Sequence, residues 1–201
     1  MSERQEKGDI RPQIKNVTTE VVFESRFTLL KVTNDYLLKD GTWQQQEREV
    51  FEKGSGASIL LFNRKNRTVI LIRQLRIPAY LNGDKTGMLI ETCAGLLDGD
   101  KPEECARREA LEETGYKITE MKKAFSVYIS PGVVTEVVHC FVAPYSSEMK
   151  VSAGGGHDHE QENIEVMEIP FDDAYRMIET GDIKDAKTIL LLQYAKINNL
   201  V

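Results

Sequence analysis

The chain has 201 residues, of which 41% are hydrophobic and 29% charged, and its formal net charge is −6 at pH 7. This length fits one domain of ordinary size with a short additional segment, and the composition is that of a globular protein, not a disordered or fibrous one. A sequence pI near 5.3 argues against a general nucleic-acid-binding protein, because phosphate contacts need clustered Lys and Arg. The sequence shows no apolar run of the roughly 20 residues that a membrane span needs, and its polar start does not resemble a signal peptide.

The three cysteines give a further indication of the compartment. Cys93, Cys105 and Cys140 lie in or beside apolar or helical runs and do not have the spacing of a zinc site. We therefore expect them to be reduced packing thiols in a cytoplasmic protein.

The first quarter of the chain predicts a polar arm followed by strands. Residues 1–12 are polar and are expected to form a disordered arm. From Val17 onward, alternating runs separated by Lys39-Asp40-Gly41 are typical of strands joined by a tight turn. We expect an N-terminal antiparallel β unit over residues 13–52 that mediates dimerisation, followed by the main domain over residues 53–201.

The main domain alternates strand-like and helix-like segments. The runs "SILLFN", "TVILIRQLR" and "GMLIETCA" predict strands, and so do "KAFSVYIS", "VTEVVHCFVAPY" and "NIEVMEIP" further on. Between the two groups, a helix is predicted to begin at an Asp100 cap with Glu103 completing a box-like pair, and to end at Gly115. Two more helices follow, one ending at Gly181 and one formed by "DAKTILLLQYAKINN". This order indicates a mixed α/β (α+β) protein with a sheet core flanked by helices.

The segment 95–116 contains seven acidic and three basic residues, and the helix predicted within it carries a cluster of carboxylates. Glu109, Glu112 and Glu113 stand at positions i, i+3 and i+4, so they share one helix face. Spacing alone leaves two interpretations open. One is a solvated helix with an Arg108–Glu112 pair, since like charges at these spacings cost only about 0.2 to 0.5 kcal/mol. The other is a site for Mg²⁺, which prefers oxygen ligands.

The sequence "RREALEETGY" over residues 107–116, with the Gly-rich loop before it, resembles the signature of the Nudix hydrolases. The second half of the family pattern is matched throughout, from Arg108 to Tyr116. In the first half, counting back from Arg108 puts Ala94 and Asp100 at the places of the family's Gly and Glu, whereas counting from Gly95 puts Lys101 at the Glu place.

The resemblance extends from about residue 25 to residue 192. The strand order, together with "YISPGVVTE" and "EQENIEV", is similar to the ADP-ribose and nucleotide-sugar pyrophosphatase branch of the family, and most of all to bacterial GDP-mannose hydrolases. It implies an α/β/α sandwich with a mixed central sheet and an N-terminal antiparallel strand unit. It also implies a homodimer that acts on a small nucleotide-sugar substrate, with no nucleic-acid or membrane partner.

The reaction implied by the resemblance is Mg²⁺-dependent hydrolysis of a pyrophosphate bond, with Mn²⁺ able to substitute. The leading hypothesis is cleavage of GDP-mannose to GMP and mannose 1-phosphate. An alternative within the family is cleavage of ADP-ribose to AMP and ribose 5-phosphate. An alternative of another class is a non-catalytic ligand-binding module, against which the complete set of metal carboxylates argues.

The resemblance also assigns roles to individual residues. It implies catalytic roles for Glu113, Glu162 and Arg108, the last holding the neighbouring carboxylates in place. The implied metal ligands are the Ala94 carbonyl, Glu109, Glu112, Glu113 and Glu162. Glu160 and Glu165 are rivals of Glu162 as the loop carboxylate, and glycines 154–156 are expected to let this loop close over substrate.

The implied substrate contacts are more widely spread. Arg76 is expected to bind phosphate, Arg26 to stack on a base, and Lys187 either to reach sugar or phosphate or to be a surface lysine. The strand residues Glu47 to Glu49 can come from the neighbouring subunit of a dimer. The full set is Arg26, Glu47, Arg48, Glu49, Arg76, Ala94, Gly95, Leu96, Glu113, Glu136, Gln161, Glu162 and Lys187.

Overall fold

The computed structural model describes residues 13–156 and 163–201, and the chain divides into two compact units. The described part of the first unit is residues 13–53 with 132–135, and the second is residues 54–131 with 136–201. The expected disorder of residues 1–12 and the roles predicted for Glu160, Gln161 and Glu162 lie outside the described residues.

The first unit is a three-stranded antiparallel sheet in which the middle strand in sequence is also the middle strand in space. Its strands are β1 (Ile14–Glu24), β2 (Thr28–Leu37) and β3 (Trp43–Glu52). The turn between β2 and β3 is built as its sequence predicts: the Asp40 carboxylate accepts hydrogen bonds from the backbone N–H and the hydroxyl of Thr42, and Gly41 has a φ of +86°. The segment 132–135 bonds to β3 through Phe51, whose N–H donates to the carbonyl of Val133.

The second unit contains seven strands and four helices among its described residues. They are, in chain order, β4 (Gly56–Asn63), β5 (Thr68–Leu75), α1 (Ile77–Leu81), β6 (Met88–Glu91), β7 (Cys93–Leu96), α2 (Pro102–Thr114), β8 (Lys122–Tyr128), β9 (Val137–Pro144), β10 (Glu165–Pro170), α3 (Phe171–Thr180) and α4 (Ala186–Ile197). A 3₁₀ turn follows β9 at Ser147–Met149.

The seven strands form one mixed sheet. The main order is β10-β5-β4-β9-β8, with β6 paired to β5 and β7 paired to β4. The β4–β9 pair is parallel and the other pairs are antiparallel. The predicted mixed central sheet is therefore confirmed.

Helices cover both faces of this sheet because the central strands are apolar on both sides. Along β4, Ile59 and Leu61 belong to the hydrophobic cluster that includes Cys105, Ala106 and Ala110 of α2. Leu60, which points the opposite way, belongs to the cluster formed with α3 and α4. This alternation produces the three-layered α/β/α sandwich that the sequence analysis predicts.

Two local predictions differ from the structure at their boundaries. Helix α2 has its N-cap at Lys101, not at Asp100, and Glu104 in place of Glu103 reaches back to the Lys101 N–H at 3.4 Å. The run "GMLIETCA" forms two strands, not one, with a break at Thr92. The predicted ends at Gly115 and Gly181 are confirmed, and both glycines have a φ of +78°. No helix within the described ranges is long and apolar enough to cross a membrane.

Candidate active site

The carboxylate of Glu109 lies against the backbone of strand β7. A Cβ atom placed on Gly95 would be only 1.9 Å from Glu109 Oε1 and 2.2 Å from its Cδ. Any side chain at position 95 would therefore occupy the place of the carboxylate. Gly95 is needed here for the close approach of helix α2 to the strand, and Glu109 is consequently 8% exposed.

Glu113, one turn further along α2, contacts the same short strand. Its Oε2 accepts a hydrogen bond from the Ala94 N–H at 3.0 Å, and the residue is only 1% exposed. Two buried carboxylates thus converge on the Ala94–Gly95 backbone. Burying an ionised carboxylate is unfavourable unless positive charge and hydrogen bonds compensate, so this arrangement suits a site that receives cations.

Arg108 provides one of these positive charges. Its Nη1 donates to Glu109 Oε1 at 2.7 Å and to Glu112 Oε2 at 3.1 Å, and its Nη2 donates to the Leu96 carbonyl at 3.1 Å. Burial disfavours the charge of Arg108, but Glu109 and the other acidic neighbours outweigh this effect and raise its pKa. Arg108 therefore holds both glutamates and ties them to the end of β7.

Of the two loop residues that can be aligned with the family's Glu, Asp100 is the one whose carboxylate contacts Arg108. Its Oδ2 accepts a hydrogen bond from Arg108 Nε at 3.2 Å, whereas Lys101 forms the N-cap of the helix. The carboxylate found by counting back from Arg108 is thus the one that contacts Arg108. This contact also explains why Asp100 does not cap the helix.

The candidate metal ligands at this site are all oxygen atoms, as a hard divalent cation such as Mg²⁺ prefers. Within residues 13–156 and 163–201, no group of three or more His, Cys, Asp or Glu side chains is arranged to hold a metal ion. Arg108 engages Glu109 and Glu112, and the Ala94 N–H engages Glu113. The oxygen-only chemistry and the convergence of the buried pair fit a hard cation, with further ligands needed from outside the described set.

Glycines 154–156 contact the end of helix α2. The N–H groups of Gly155 and Gly156 donate to the carbonyls of Glu113 and Glu112 at 2.9 and 3.1 Å, and so bond the last turn of α2. A Cβ on Gly154 would lie 2.5 Å from the Glu113 carbonyl oxygen. These glycines therefore lie in close contact with the carboxylate-bearing helix. The N–H of Ile164 donates to the Gly155 carbonyl at 3.2 Å, so Ile164 also lies near the end of α2.

Arg76 and Lys187 are joined by a buried carboxylate that the sequence analysis did not identify. Both oxygens of Glu91 take part: Oε1 accepts from Arg76 Nε at 2.7 Å, and Oε2 accepts from Arg76 Nη2 at 3.0 Å and from Lys187 Nζ at 2.5 Å. Lys187 Nζ also donates to Asp185 Oδ1 at 2.8 Å. The surface-lysine alternative for Lys187 is wrong, because its side chain is only 13% exposed.

The charges within this group stabilise one another. Burial opposes ionisation of Glu91, but Lys187 and Arg76 outweigh it and lower the pKa of Glu91 to about 2. Burial likewise opposes the charges of Arg76 and Lys187, yet the carboxylates beside them raise both pKa values. A sequence signal existed for Glu91, since it is the one acidic residue in the apolar run "GMLIETCA".

Glu136 lies close to the Ala94–Gly95 strand. A Cβ on Gly56 would be 3.5 Å from Glu136 Oε1 and 2.9 Å from the Gly95 carbonyl oxygen, so both groups flank Gly56. Strand β4 is responsible for this proximity, because Gly56 pairs with both β7 and β9. Glu165, a predicted rival for the loop carboxylate, instead bonds Arg73 Nε at 2.8 Å.

The remaining predicted substrate residues belong to the first unit. Arg26 is exposed in the turn between β1 and β2, and Glu47, Arg48 and Glu49 are exposed on β3. Glu47 forms an ion pair with Lys31 at 2.9 Å.

The cysteines follow their prediction: Cys93, Cys105 and Cys140 are free and buried, and burial raises the pKa of Cys105 to about 11 and of Cys140 to about 12.

Comparison with known proteins places the chain in a family. Residues 52–192 match the NUDIX domain, and residues 13–51 match the domain described as the GDP-mannose pyrophosphatase NudK N-terminal domain. Curated relatives named GDP-mannose pyrophosphatase occur in Shigella dysenteriae serotype 1 (strain Sd197), Escherichia coli O157:H7 and Escherichia coli O1:K1 / APEC. Each is 50% identical over 189 residues, which cover 94% of this chain and 98% of the relative. With a matched domain over most of its length and the buried glutamate pair of its signature helix, the chain belongs to the Nudix hydrolase family.

Proposed function

We propose that this protein is a Mg²⁺-dependent pyrophosphatase that cleaves GDP-mannose to GMP and mannose 1-phosphate. The observation that carries the proposal is the convergence of Glu109 and Glu113 on the Ala94–Gly95 backbone, in a chain half identical to GDP-mannose pyrophosphatases along nearly its whole length. Nudix hydrolases generally need a divalent metal ion. The choice of Mg²⁺ rests on the all-oxygen donor set.

The metal-binding residues in this proposal are the Ala94 carbonyl, Glu109, Glu112 and Glu113, joined by Glu162. When bound, Mg²⁺ neutralises pyrophosphate oxygens and lowers the pKa of a water molecule. Arg108 keeps the carboxylates of Glu109 and Glu112 oriented through its bonds at 2.7 and 3.1 Å. Helix α2 thereby presents a preorganised negative surface that attracts cations. The same surface repels a pyrophosphate that has no bound cation.

Glu162 is proposed as the carboxylate that takes the proton from the attacking water. Support comes from the described residues on either side of its segment, because Gly155 bonds the Glu113 carbonyl and Ile164 bonds Gly155. The described residues that flank the segment therefore lie at the end of the helix that carries the metal-binding glutamates. Glu160 and Glu165 remain its rivals, and Glu165 accepts a hydrogen bond from Arg73 in this structure.

On the substrate side, Arg76 is proposed to bind a phosphate oxygen, with Lys187 beside it. Backbone groups of Ala94, Gly95 and Leu96 are proposed to contact the pyrophosphate next to the metal. Glu136, which lies close to Gly95 across Gly56, is proposed to contact the sugar or phosphates. The exposed Arg26 and residues 47–49 are proposed to contact the nucleoside, and Gln161 is assigned to the same substrate set by family likeness.

We further propose a cytoplasmic homodimer. Strand β1 is an edge strand whose residues are all exposed, among them the apolar side chains of Val17, Val21, Val22 and Phe23. An uncovered apolar edge strand favours pairing with another chain, and a second copy would cover it. The three free thiols support a reducing compartment.

The test is a substrate panel with purified protein and Mg²⁺. GDP-mannose, ADP-ribose and other nucleotide sugars are compared by kcat/KM, and products are identified by mass. We expect the highest kcat/KM with GDP-mannose, GMP and mannose 1-phosphate as products, complete loss with EDTA and recovery with Mg²⁺. Preference for ADP-ribose would overturn the substrate assignment, and turnover in EDTA would overturn the metal mechanism.

A further inference from the structure

Four charged side chains in the second unit form a compact group, which we call the Glu91 cluster: Arg76, Glu91, Asp185 and Lys187. They come from three separate elements, since Arg76 precedes α1, Glu91 ends β6, and the other two begin α4. Glu91 lies at the centre and is 2% exposed, so its carboxylate is withdrawn from solvent. The cluster contains two positive and two negative groups, which makes its burial electrostatically acceptable.

The contacts of Glu91 fix the orientation of Arg76. The carboxylate accepts from Nε and Nη2 of the guanidinium at 2.7 and 3.0 Å, which is a two-point planar contact. Such a fork leaves little freedom to rotate the guanidinium plane. The same carboxylate binds Lys187, so one anion holds both cations at once.

The part of Arg76 that Glu91 does not use faces outward. The Arg76 side chain is 39% exposed although its carboxylate partner is buried, and Nη1 makes no hydrogen bond within residues 13–156 and 163–201. Electrostatic interaction with Glu113 also contributes to the charge state of Arg76. The outward edge of the guanidinium is therefore accessible to a ligand from solvent.

The cluster is itself anchored to the core. Asp185 accepts hydrogen bonds from the Thr188 N–H at 3.0 Å and its hydroxyl at 2.6 Å, which caps helix α4. The Thr188 hydroxyl in turn accepts from the Thr92 N–H at 2.8 Å, directly after Glu91 in sequence. Glu91 and Lys187 are thus held on both sides by buried hydrogen bonds, and the guanidinium is bonded to a rigid support.

From this geometry we infer that Glu91 is a positioning residue, which orients Arg76 and Lys187 to receive the diphosphate of the substrate. The inference rests on the proposed function and adds to it a residue that does not touch substrate. Removing the carboxylate frees the guanidinium to rotate and leaves Lys187 with Asp185 alone. A misplacement of about 1 Å at a binding group reduces catalytic efficiency by up to about 100-fold.

The test compares Glu91→Gln with Asp172→Asn. Asp172 is a matched control because it also bridges an arginine and a lysine, Arg67 at 3.1 Å and Lys196 at 3.6 Å, but it is 60% exposed. We expect Glu91→Gln to lower kcat/KM for GDP-mannose by about 10- to 100-fold, mainly through KM, and Asp172→Asn to leave it unchanged. A drop in melting temperature without a change in kcat/KM would show a purely structural role and overturn the inference.

A double-mutant cycle tests whether Glu91 affects kcat/KM through Arg76. In an Arg76→Ala background, Glu91→Gln should cause little further loss, because the group that it orients is gone. Full additivity of the two losses would overturn the inference. Where Glu91→Gln does not fold, Glu91→Asp serves in the same cycle, since it keeps the charge but shortens the reach.

A binding measurement separates this inference from the proposed function. Titration calorimetry with GDP needs no turnover, and we expect Glu91→Gln to weaken GDP binding by a similar factor in the presence of Arg76. A wild-type protein that binds GDP without hydrolysing any nucleotide sugar would overturn the proposed function alone. Equal GDP affinity in wild type and Glu91→Gln would overturn the role of Glu91 alone.

Discussion

Replacement of Gly95 by alanine should inactivate the enzyme while the protein still folds. The new Cβ would lie 1.9 Å from Glu109 Oε1, and real Cβ contacts are essentially never shorter than 3.0 Å, so the carboxylate must move by about 1 Å or more. Gly95 does not have a positive φ, which means that the effect is steric and not one of backbone strain. Overpacking of this kind costs about 1 to 3 kcal/mol of stability.

The assay measures kcat/KM for GDP-mannose and the Mg²⁺ concentration that gives half-maximal rate. Displacing a metal-binding carboxylate by about 1 Å should reduce kcat/KM roughly 100-fold and raise the Mg²⁺ requirement. Gly181→Ala is the control, because position 181 has a φ of +78° and a Cβ added there would meet no heavy atom within 4 Å apart from its chain neighbours. It should lose about 1 to 2 kcal/mol of stability but no activity. Wild-type kcat/KM in Gly95→Ala would refute the placement of Glu109 in the reaction.

Four further predictions address the site and the assembly. Glu113→Gln should lower kcat by orders of magnitude with little change in melting temperature, whereas Glu103→Gln, in the exposed first turn of α2, should remain active; comparable rates for both would contradict the metal role of Glu113. Glu162→Gln should abolish turnover and Glu160→Gln should not, and the reverse pattern would assign the loop carboxylate to Glu160. Because the pKa of Glu91 is lowered from 4.5 to about 2, its contribution to stability is fully present above pH 4.5 and is lost as the pH falls towards 2. That contribution is about 3 kcal/mol, so urea unfolding of Glu91→Gln should depend less on pH in this window than wild type, and equal dependence would count against the buried ion pairs. Light scattering at micromolar concentration should show a dimer for wild type and a monomer for Val21→Glu with Phe23→Glu, and a wild-type monomer would remove the case for assembly through β1.

Sequence patterns predicted the structure correctly wherever residues close together in the chain determine it. The i, i+3, i+4 spacing of Glu109, Glu112 and Glu113 places them on one helix face in any context. The continuous apolar runs of the central strands, with helical segments among them in the chain, predict a sheet flanked by helices. Gly115 and Gly181 end their helices because glycine adopts a left-handed conformation readily.

The sequence predictions failed where a distant residue competes with a local one. Asp100 is a good N-cap by type, but its carboxylate bonds Arg108 and the cap moves to Lys101. The run "GMLIETCA" reads as one strand, but the Thr92 N–H donates to Thr188, 96 positions away, and the run divides there. The contacts of glycines 154–156 with the end of α2 are likewise absent from the local pattern, because they join segments about 40 positions apart.

By itself, then, the sequence determined the fold class, the helix that carries the carboxylates and the family, because periodicity and a contiguous motif are local properties of the chain. Only the tertiary structure decided that Glu109 needs a glycine at position 95, that Asp100 contacts Arg108, and that Glu91 holds Arg76 and Lys187 together. Each of these depends on side chains that are distant in sequence and brought together by packing. Because burying an unpaired charge is unfavourable, the charged groups in these contacts must pair with each other in the folded protein.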